Sequence, residues 1–349
     1  MAEPLSTEEA RAEAARAGVH ALSIPTPFLV GRVNLYLIED EPLTLVDVGP
    51  NSGKALDELE QALARLGHRV EELGLIVLTH QHIDHIGLVD VLVRRSGAEV
   101  AALDRLAPYL GDYHDAAERD DEFAVGLMQR HGIPADVTQA LRSVSAAFRG
   151  WGSGAEVTRP LPDGSTLRLR DRSLQVLHRP GHSPSDTVFW DAERALLIGG
   201  DHLIKHISSN PLVARPLPLP GEPEPAPDER PEALRTYLAS LEATRALPAR
   251  IVLSGHGEPV TDHATLIDER AGMTARRARK ILSLLQERPL TAYEVAQRMW
   301  GNVAVTQAFL TLSEVLGHAD LLRADGSVRE LVDDGVVRFE ALAAPDAQT

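Results

Sequence analysis

The chain has 349 residues, 44% of them hydrophobic, and a formal net charge of -16 from 51 acidic against 35 basic side chains. That length suggests one large domain plus a small one, with ample apolar side chains for a buried core, and the acidic balance argues against nucleic acid as an electrostatically captured partner. No cysteine occurs, which excludes disulfides and thiolate metal sites alike.

Met1–Gly18 is rich in Ala, Glu and Arg without an apolar signal-peptide core. Residues 1–20 therefore read as an exposed helical extension of a cytoplasmic protein. No run reaches the apolar length that spans a bilayer, so no membrane partner is expected. Strands are predicted near Ala21–Ile24, Asn34–Ile38 and Leu43–Val48, the last two joined through Glu39-Asp40-Glu41-Pro42, and a helix covers Gly53–Leu66. The short apolar run Leu75–Leu78 has buried-strand character and ends where Thr79-His80-Gln81-His82-Ile83-Asp84-His85 begins. His80 and His82, two apart on extended backbone, share a side and can reach one cation. Asp84 and His85 follow where the chain must turn, with Gly87 supplying backbone freedom, and aim at a second cation.

Leu88–Ser96 reads as a helix and Glu99–Ala102 as a strand. Residues 106–148 are mostly helical, interrupted near Gly132-Ile133-Pro134, and form an insertion placed to act as a lid or pocket wall. Strands resume over Thr166–Arg170 and Leu174–Leu177, and Thr187–Trp190 with Ala195–Ile198 makes a hairpin. Prolines crowd residues 216–231 into a loop before a helix near Pro231–Thr244. Ile251–Leu253 is a further apolar strand. From residue 268 the pattern changes to three helices, Met273–Leu282, a Thr291-capped second helix and Thr306–Leu316, then a hairpin around Asp333-Asp334-Gly335. This is a winged-helix-like unit, 268–349. Its third helix has no basic residue, which disfavours phosphate contact. The unit is expected to close the active site or to mediate homodimerisation.

His-x-His-x-Asp-His after an apolar strand resembles the signature of the metallo-β-lactamase superfamily. The C-terminal arrangement resembles its winged-helix branch, that of lactamase-like protein 2 and glyoxalase II-like hydrolases. The resemblance implies an α/β fold, an αββα sandwich over residues 21–267. It also implies roles for other strand-end residues. Asp47, in Asp47-Val48-Gly49, would orient a ligating histidine. His182, in Gly181-His182-Ser183, would complete the first metal's trio with His80 and His82. Asp201, ending Leu196–Gly200, would bridge both metals, and His256 would join Asp84 and His85 on the second. His178 reads as a supporting or pocket histidine, and His202, Lys205, His206 and Asn210 are placed to line the pocket and meet an anionic or carbonyl group. Many relatives carry His where Asp186 stands, which puts local pocket chemistry in question.

The donors suit two Zn2+, and would also accept Fe or Mn. A metal-bridging hydroxide would attack the carbonyl of a small acyl thioester, ester or lactone, with Asp84 holding the nucleophile. The alternative is phosphodiester cleavage, as in RNA-processing relatives of the winged-helix branch. A binding module without turnover is disfavoured by the complete ligand set.

Overall fold

Alternation of side chains along the strands decides the architecture in the computed structural model, which describes residues 4–219, 221–223 and 230–342. The first sheet carries β1 (Val19–Ile24), β2 (Val33–Ile38), β3 (Thr44–Val46), β4 (Leu75–Val77), β5 (Glu99–Leu103) and β6 (Arg159–Leu161), neighbours in chain order. The second carries β7 (Thr166–Arg168), β8 (Ser173–His178), β9 (Thr187–Asp191), β10 (Leu196–Gly200) and β11 (Ile251–Ser254), ordered β11-β10-β9-β8-β7. On β2, Tyr36 and Ile38 face the second sheet while Val33, Leu35 and Leu37 face outward onto helices. On β10 and β11, Leu196, Ile198, Ile251 and Leu253 point inward and Leu197 and Val252 outward. Both faces of both sheets are therefore apolar, and each outer face needs cover.

Helices supply it. Gly53–Arg65 and Val89–Ser96 pack Ala55, Leu59, Leu63 and Leu92 on the first sheet, and Ala233–Arg245 packs Leu234, Tyr237 and Leu241 on the second. The result is the αββα sandwich implied by the signature. β3, β4 and β5 run parallel, as do β10 and β11, so the carboxyl ends of the ligand-bearing strands lie on one edge. The sheets meet there, where the Thr187 N–H donates to the Thr79 carbonyl at 3.0 Å.

The C-terminal unit contains His263–Leu285, Ala292–Trp300, Val303–Thr306 and Ala308–Ala324, then a hairpin of β12 (Val328–Asp333) and β13 (Val336–Ala341). Thr291 and Glu294 form a reciprocal cap on the second of these helices. The turn between β12 and β13 places Asp334 and Gly335 at φ 45° and 76°, the backbone a tight hairpin requires. The first helix is longer than its pattern predicts, because Asp262 caps it ahead of the expected domain boundary and it continues through residue 268 unbroken.

The insertion contains the helices Tyr113–Arg130 and Ala135–Phe148, separated at Gly132-Ile133-Pro134. Its Leu127, Met128 and Ile133 share one core with Leu290, Val295, Leu316 and Phe339, so its far end is fixed to the C-terminal unit. Residues 1–3 of the extension, 220 and 224–229 of the proline-rich loop, and 343–349 of the C-terminal unit lie outside the described residues. Among the described residues no helix is long and apolar enough to cross a membrane.

Candidate metal centre

β4 delivers His80 and His82 in extended backbone, and the chain then closes into one helical turn, Ile83–Ile86, that presents Asp84 and His85. The sequence suggested a loop there. Gly87 is right-handed, with φ -56°, and its glycine is needed for close approach: a Cβ would lie 2.3 Å from Asn51 N and from the Trp151 carbonyl oxygen.

The structure brings all seven expected ligands together as two adjacent groups, His80/His82/His182/Asp201 and Asp84/His85/His256, each with donor atoms within 4.8 Å of one another. Ring centroids of His80 lie 4.6 Å from His82 and 4.2 Å from His85, so the groups adjoin. Asp201 touches both: its oxygens lie 3.5 Å from His85 Nε2, 3.6 Å from His182 Nε2 and 3.4 Å from His256 Nε2. His82 differs from the other histidines, its Nδ1 facing His182 Nε2 at 3.0 Å.

Each remaining imidazole is held by its second nitrogen. His85 Nδ1 donates to Asp47 at 2.8 Å, His256 Nδ1 to the Arg32 carbonyl at 2.8 Å, and His182 Nδ1 to the Asn210 carbonyl at 3.2 Å. His80 Nδ1 lies 2.9 Å from Thr79 Oγ1, whose hydroxyl donates to Asp47 at 2.8 Å. Such anchoring fixes tautomer and ring angle and turns each Nε2 into the centre. Asp47 accepts from both His85 Nδ1 and Thr79 Oγ1; Thr79, Asn210 and Arg32 were not expected in these roles. Gly255 was also missed. A Cβ there would lie 2.2 Å from Asp201 Oδ1 and 2.9 Å from His85 Cε1, so this strand end admits only glycine.

His80 Nε2, His85 Nε2, His256 Nε2 and Asp201 Oδ1 are buried without a hydrogen-bond partner. Unpaired buried donors and acceptors are costly, and a cation in each group satisfies them, so the residues present fit a metal. Electrostatics agree. Burial drives His82 down to about 3 and holds His80 well below the usual histidine range, leaving neutral imidazoles. Burial opposes charge on His85 and His256 as well, but Asp201 with Asp47 and Asp84 outweighs it, raising His85 strongly and His256 to about 9. Those carboxylates stabilise positive charge at the site's centre.

The other expected residues lie around this centre. His178 Nε2 sits 2.9 Å from the Pro184 carbonyl and its N–H donates to Asp163, so it supports the loop carrying His182 from outside. Lys205 and His206 are both engaged by Glu258, at 2.8 and 3.4 Å, on the rim beside His256. Asp186 caps the His182 loop, accepting from Ser183 N and Oγ at 3.0 and 2.9 Å. Burial raises its carboxyl to about 6.

Two His/Asp groups at the strand ends of an αββα sandwich define a metallo-hydrolase scaffold. Residues 29–256 match the family model of the metallo-beta-lactamase superfamily, and the chain belongs to that superfamily. It is 32% identical over 324 residues to the probable metallo-hydrolase YqjP of Bacillus subtilis strain 168, covering 93% of this chain and 98% of that one. A metallo-beta-lactamase family protein from Thermus thermophilus superposes with a TM-score of 0.73 at 26% identity, over 93% of this chain and 99% of that one. Similarity to the atrochrysone carboxyl ACP thioesterase of Aspergillus fumigatus is lower, 24% over 188 residues, or 52% of this chain and 40% of that protein.

Proposed function

We propose that this metallo-hydrolase is dinuclear and hydrolyses the acyl C–S or C–O bond of a thioester, ester or lactone. The observation that carries the reading is the pair of adjoining ligand groups with Asp201 in reach of both. An all-His/Asp donor set suits Zn2+ and also accepts Fe or Mn. Cations held there supply Lewis acidity to the carbonyl oxygen and a water acidified toward neutral pH.

The chain's own residues do the rest. Asp84 is buried, which favours its neutral form, but His85 and His256 outweigh burial and keep it ionised. Its carboxylate, 3.3 Å from His256 Nε2, accepts a hydrogen bond from the attacking water and orients it. Asp47 holds the His85 ring through Nδ1. Water adds to the carbonyl carbon, the C–S or C–O bond breaks, and a carboxylic acid and a thiol or alcohol result. A thiol, with an ordinary pKa of about 8.5, leaves with little acid assistance, and the similarity to a fungal acyl-carrier-protein thioesterase favours that class. The winged-helix-like unit braces the ligand segment: Arg270 Nη2 donates to the carbonyls of Ile204, Lys205 and Ile207 at 3.2, 3.1 and 3.0 Å, and Ser313 Oγ accepts from Val213 N–H.

The test is steady-state hydrolysis of an acyl thioester, an aryl ester, a lactone and bis-p-nitrophenyl phosphate by Zn-loaded protein beside Asp84→Ala. Acyl turnover that is lost in the variant supports the reading. Turnover of the phosphodiester alone overturns it.

A further inference from the structure

The described residues line a cavity of about 530 Å3 beside the Phe339 core, and none of the metal ligands or their anchors is on its wall. Four segments build it: the C-terminal half of Tyr113–Arg130, the residues leading into Ala233–Arg245, the end of Ala308–Ala324, and the β12–β13 hairpin. Phe123, Leu127 and Val337 supply its apolar wall. Its carboxylates are already matched. Asp320, fully buried, accepts from Arg230 Nη1 and Nη2 at 2.5 and 2.6 Å, and Glu330 lies 3.3 Å from Arg230 Nη2. Glu232 pairs with Arg235, and Glu122 lies 3.8 Å from Arg142. Its donors are not all matched. Arg323 approaches Asp320 and Glu330 through Nη1, at 3.3 and 3.1 Å, and among the described residues its Nε and Nη2 make no hydrogen bond. His131, on the same wall and only 1% exposed, has its ring stacked on Phe339 and its Nδ1 without a partner. A ring nitrogen left unpaired at that burial is costly unless a ligand meets it. The field there is positive, since Arg230 and Arg130 add to burial in holding the imidazole neutral.

We infer that this cavity is a second binding site, separate from the metal centre, for a small organic anion, a carboxylate or phosphate whose carbon skeleton rests on Phe123 and Leu127. The volume is that of a small-molecule site, apolar with a few convergent polar groups. The spare N–H groups of Arg323 form the fork that matches an oxyanion, and a neutral imidazole with its proton on Nδ1 is a further donor. A cation would meet Arg230 and Arg323 with the wall's carboxylates already engaged. A polymer cannot enter a space of this size. Because the wall draws on both the insertion and the C-terminal unit, an occupant ties the two together and stabilises the fold by mass action. The site does not depend on which bond the metal centre cleaves.

The experiment titrates Zn-loaded, 15N-labelled protein with phenylphosphonate, with benzoate and with benzamidine, a cation of similar shape, and follows the His131 imidazole resonance, assigned by its absence from His131→Gln. At least one anion is expected to move that resonance to saturation, and benzamidine to leave it in place. Arg323→Gln, at an exposed position, should weaken the fitted affinity roughly tenfold or more, the scale of a lost hydrogen bond to a charged group. Asp84→Ala should leave it unchanged, because an oxyanion held at the metals is not what His131 reports. A tighter phenylphosphonate assigns the ligand as a phosphate, and a tighter benzoate as a carboxylate. A His131 resonance that neither anion moves overturns the inference, as does equal affinity in Arg323→Gln. Benzamidine binding in place of the anions overturns it too, and so does a response lost in Asp84→Ala and kept in Arg323→Gln, which would locate the anion at the metal centre. Acyl turnover enters none of these readings, so failure of the hydrolase reading and failure of this site are told apart.

Discussion

At the ligand edge, polar side chains are buried with nitrogen and oxygen atoms left unpaired, whereas the core around Phe339 is filled by apolar side chains shared between the insertion and the C-terminal unit. The buried carboxylate of that second region, Asp320, is met by Arg230 at 2.5 and 2.6 Å. Both regions exclude water, yet at the ligand edge the unpaired atoms converge on one point, whereas in the second region the unpaired His131 Nδ1 stands alone against the Phe339 ring. The difference separates function from stability: a change at the ligand edge should be read in metal content and turnover, and a change at the Phe339 core in unfolding.

The sharpest way to break this comparison is Gly255→Ala. The added methyl collides with Asp201 Oδ1 and the His85 ring, so metal content by elemental analysis should fall and turnover should drop by about a thousandfold or more, the scale of losing a group that stabilises the transition state. Full activity in this variant would show that the two groups do not act as one centre. Next comes Phe339→Ala in the other region. Phe339 is fully buried and stacks on His131, with ring centroids 6.0 Å apart. Urea unfolding should show a loss of about 3–5 kcal/mol. Hydrogen exchange should quicken in Tyr113–Arg130, because that helix shares the core.

A smaller effect is expected from Asp47→Asn, which leaves ligands in place but weakens the anchor on His85. Metal titration should show affinity reduced by roughly 10–100-fold, with little change in unfolding of the zinc-free chain. The last effect is a pH slope. Burial, reinforced by Arg230 and Arg130, holds His131 down at about 3, below the unfolded value of about 6.5. The unfolded chain therefore takes up a proton that the folded chain refuses. This group's contribution is intact above about pH 6.5 and is lost as pH falls toward 3, at about 1.4 kcal/mol per pH unit. Denaturant midpoints across that window should flatten in His131→Gln; an unchanged slope would show that His131 is not the group responsible.

How legible each region was follows from what each uses. The run His80 to His85 could be read from residue identity and spacing at the end of an apolar strand, while His182, Asp201, His256 and the sandwich followed from the resemblance of the motifs to the metallo-β-lactamase superfamily. Two anchors, the carbonyls of Arg32 and Asn210, carry no residue identity and left no trace in the sequence. β6 was missed because Pro160 interrupts it and Leu161 is its only buried residue. The glycine at 87 was read as freedom to turn, when contact with Asn51 and Trp151, distant in sequence, required it. The shared core around Phe339 was hidden for the same reason: periodicity shows that a helix has an apolar face but not which partner covers it.

His182 and His256 are each oriented by a peptide oxygen and not by another side chain. Positions 32 and 210 can therefore vary without withdrawing the acceptor, and the centre is insulated from substitution at two of the points where its geometry is set. Asp47 has no such protection, since its carboxylate is itself the anchor. Mutational robustness is thus uneven across the site: sequence drift should be free at the carbonyl-held histidines' partners and closed at Asp47.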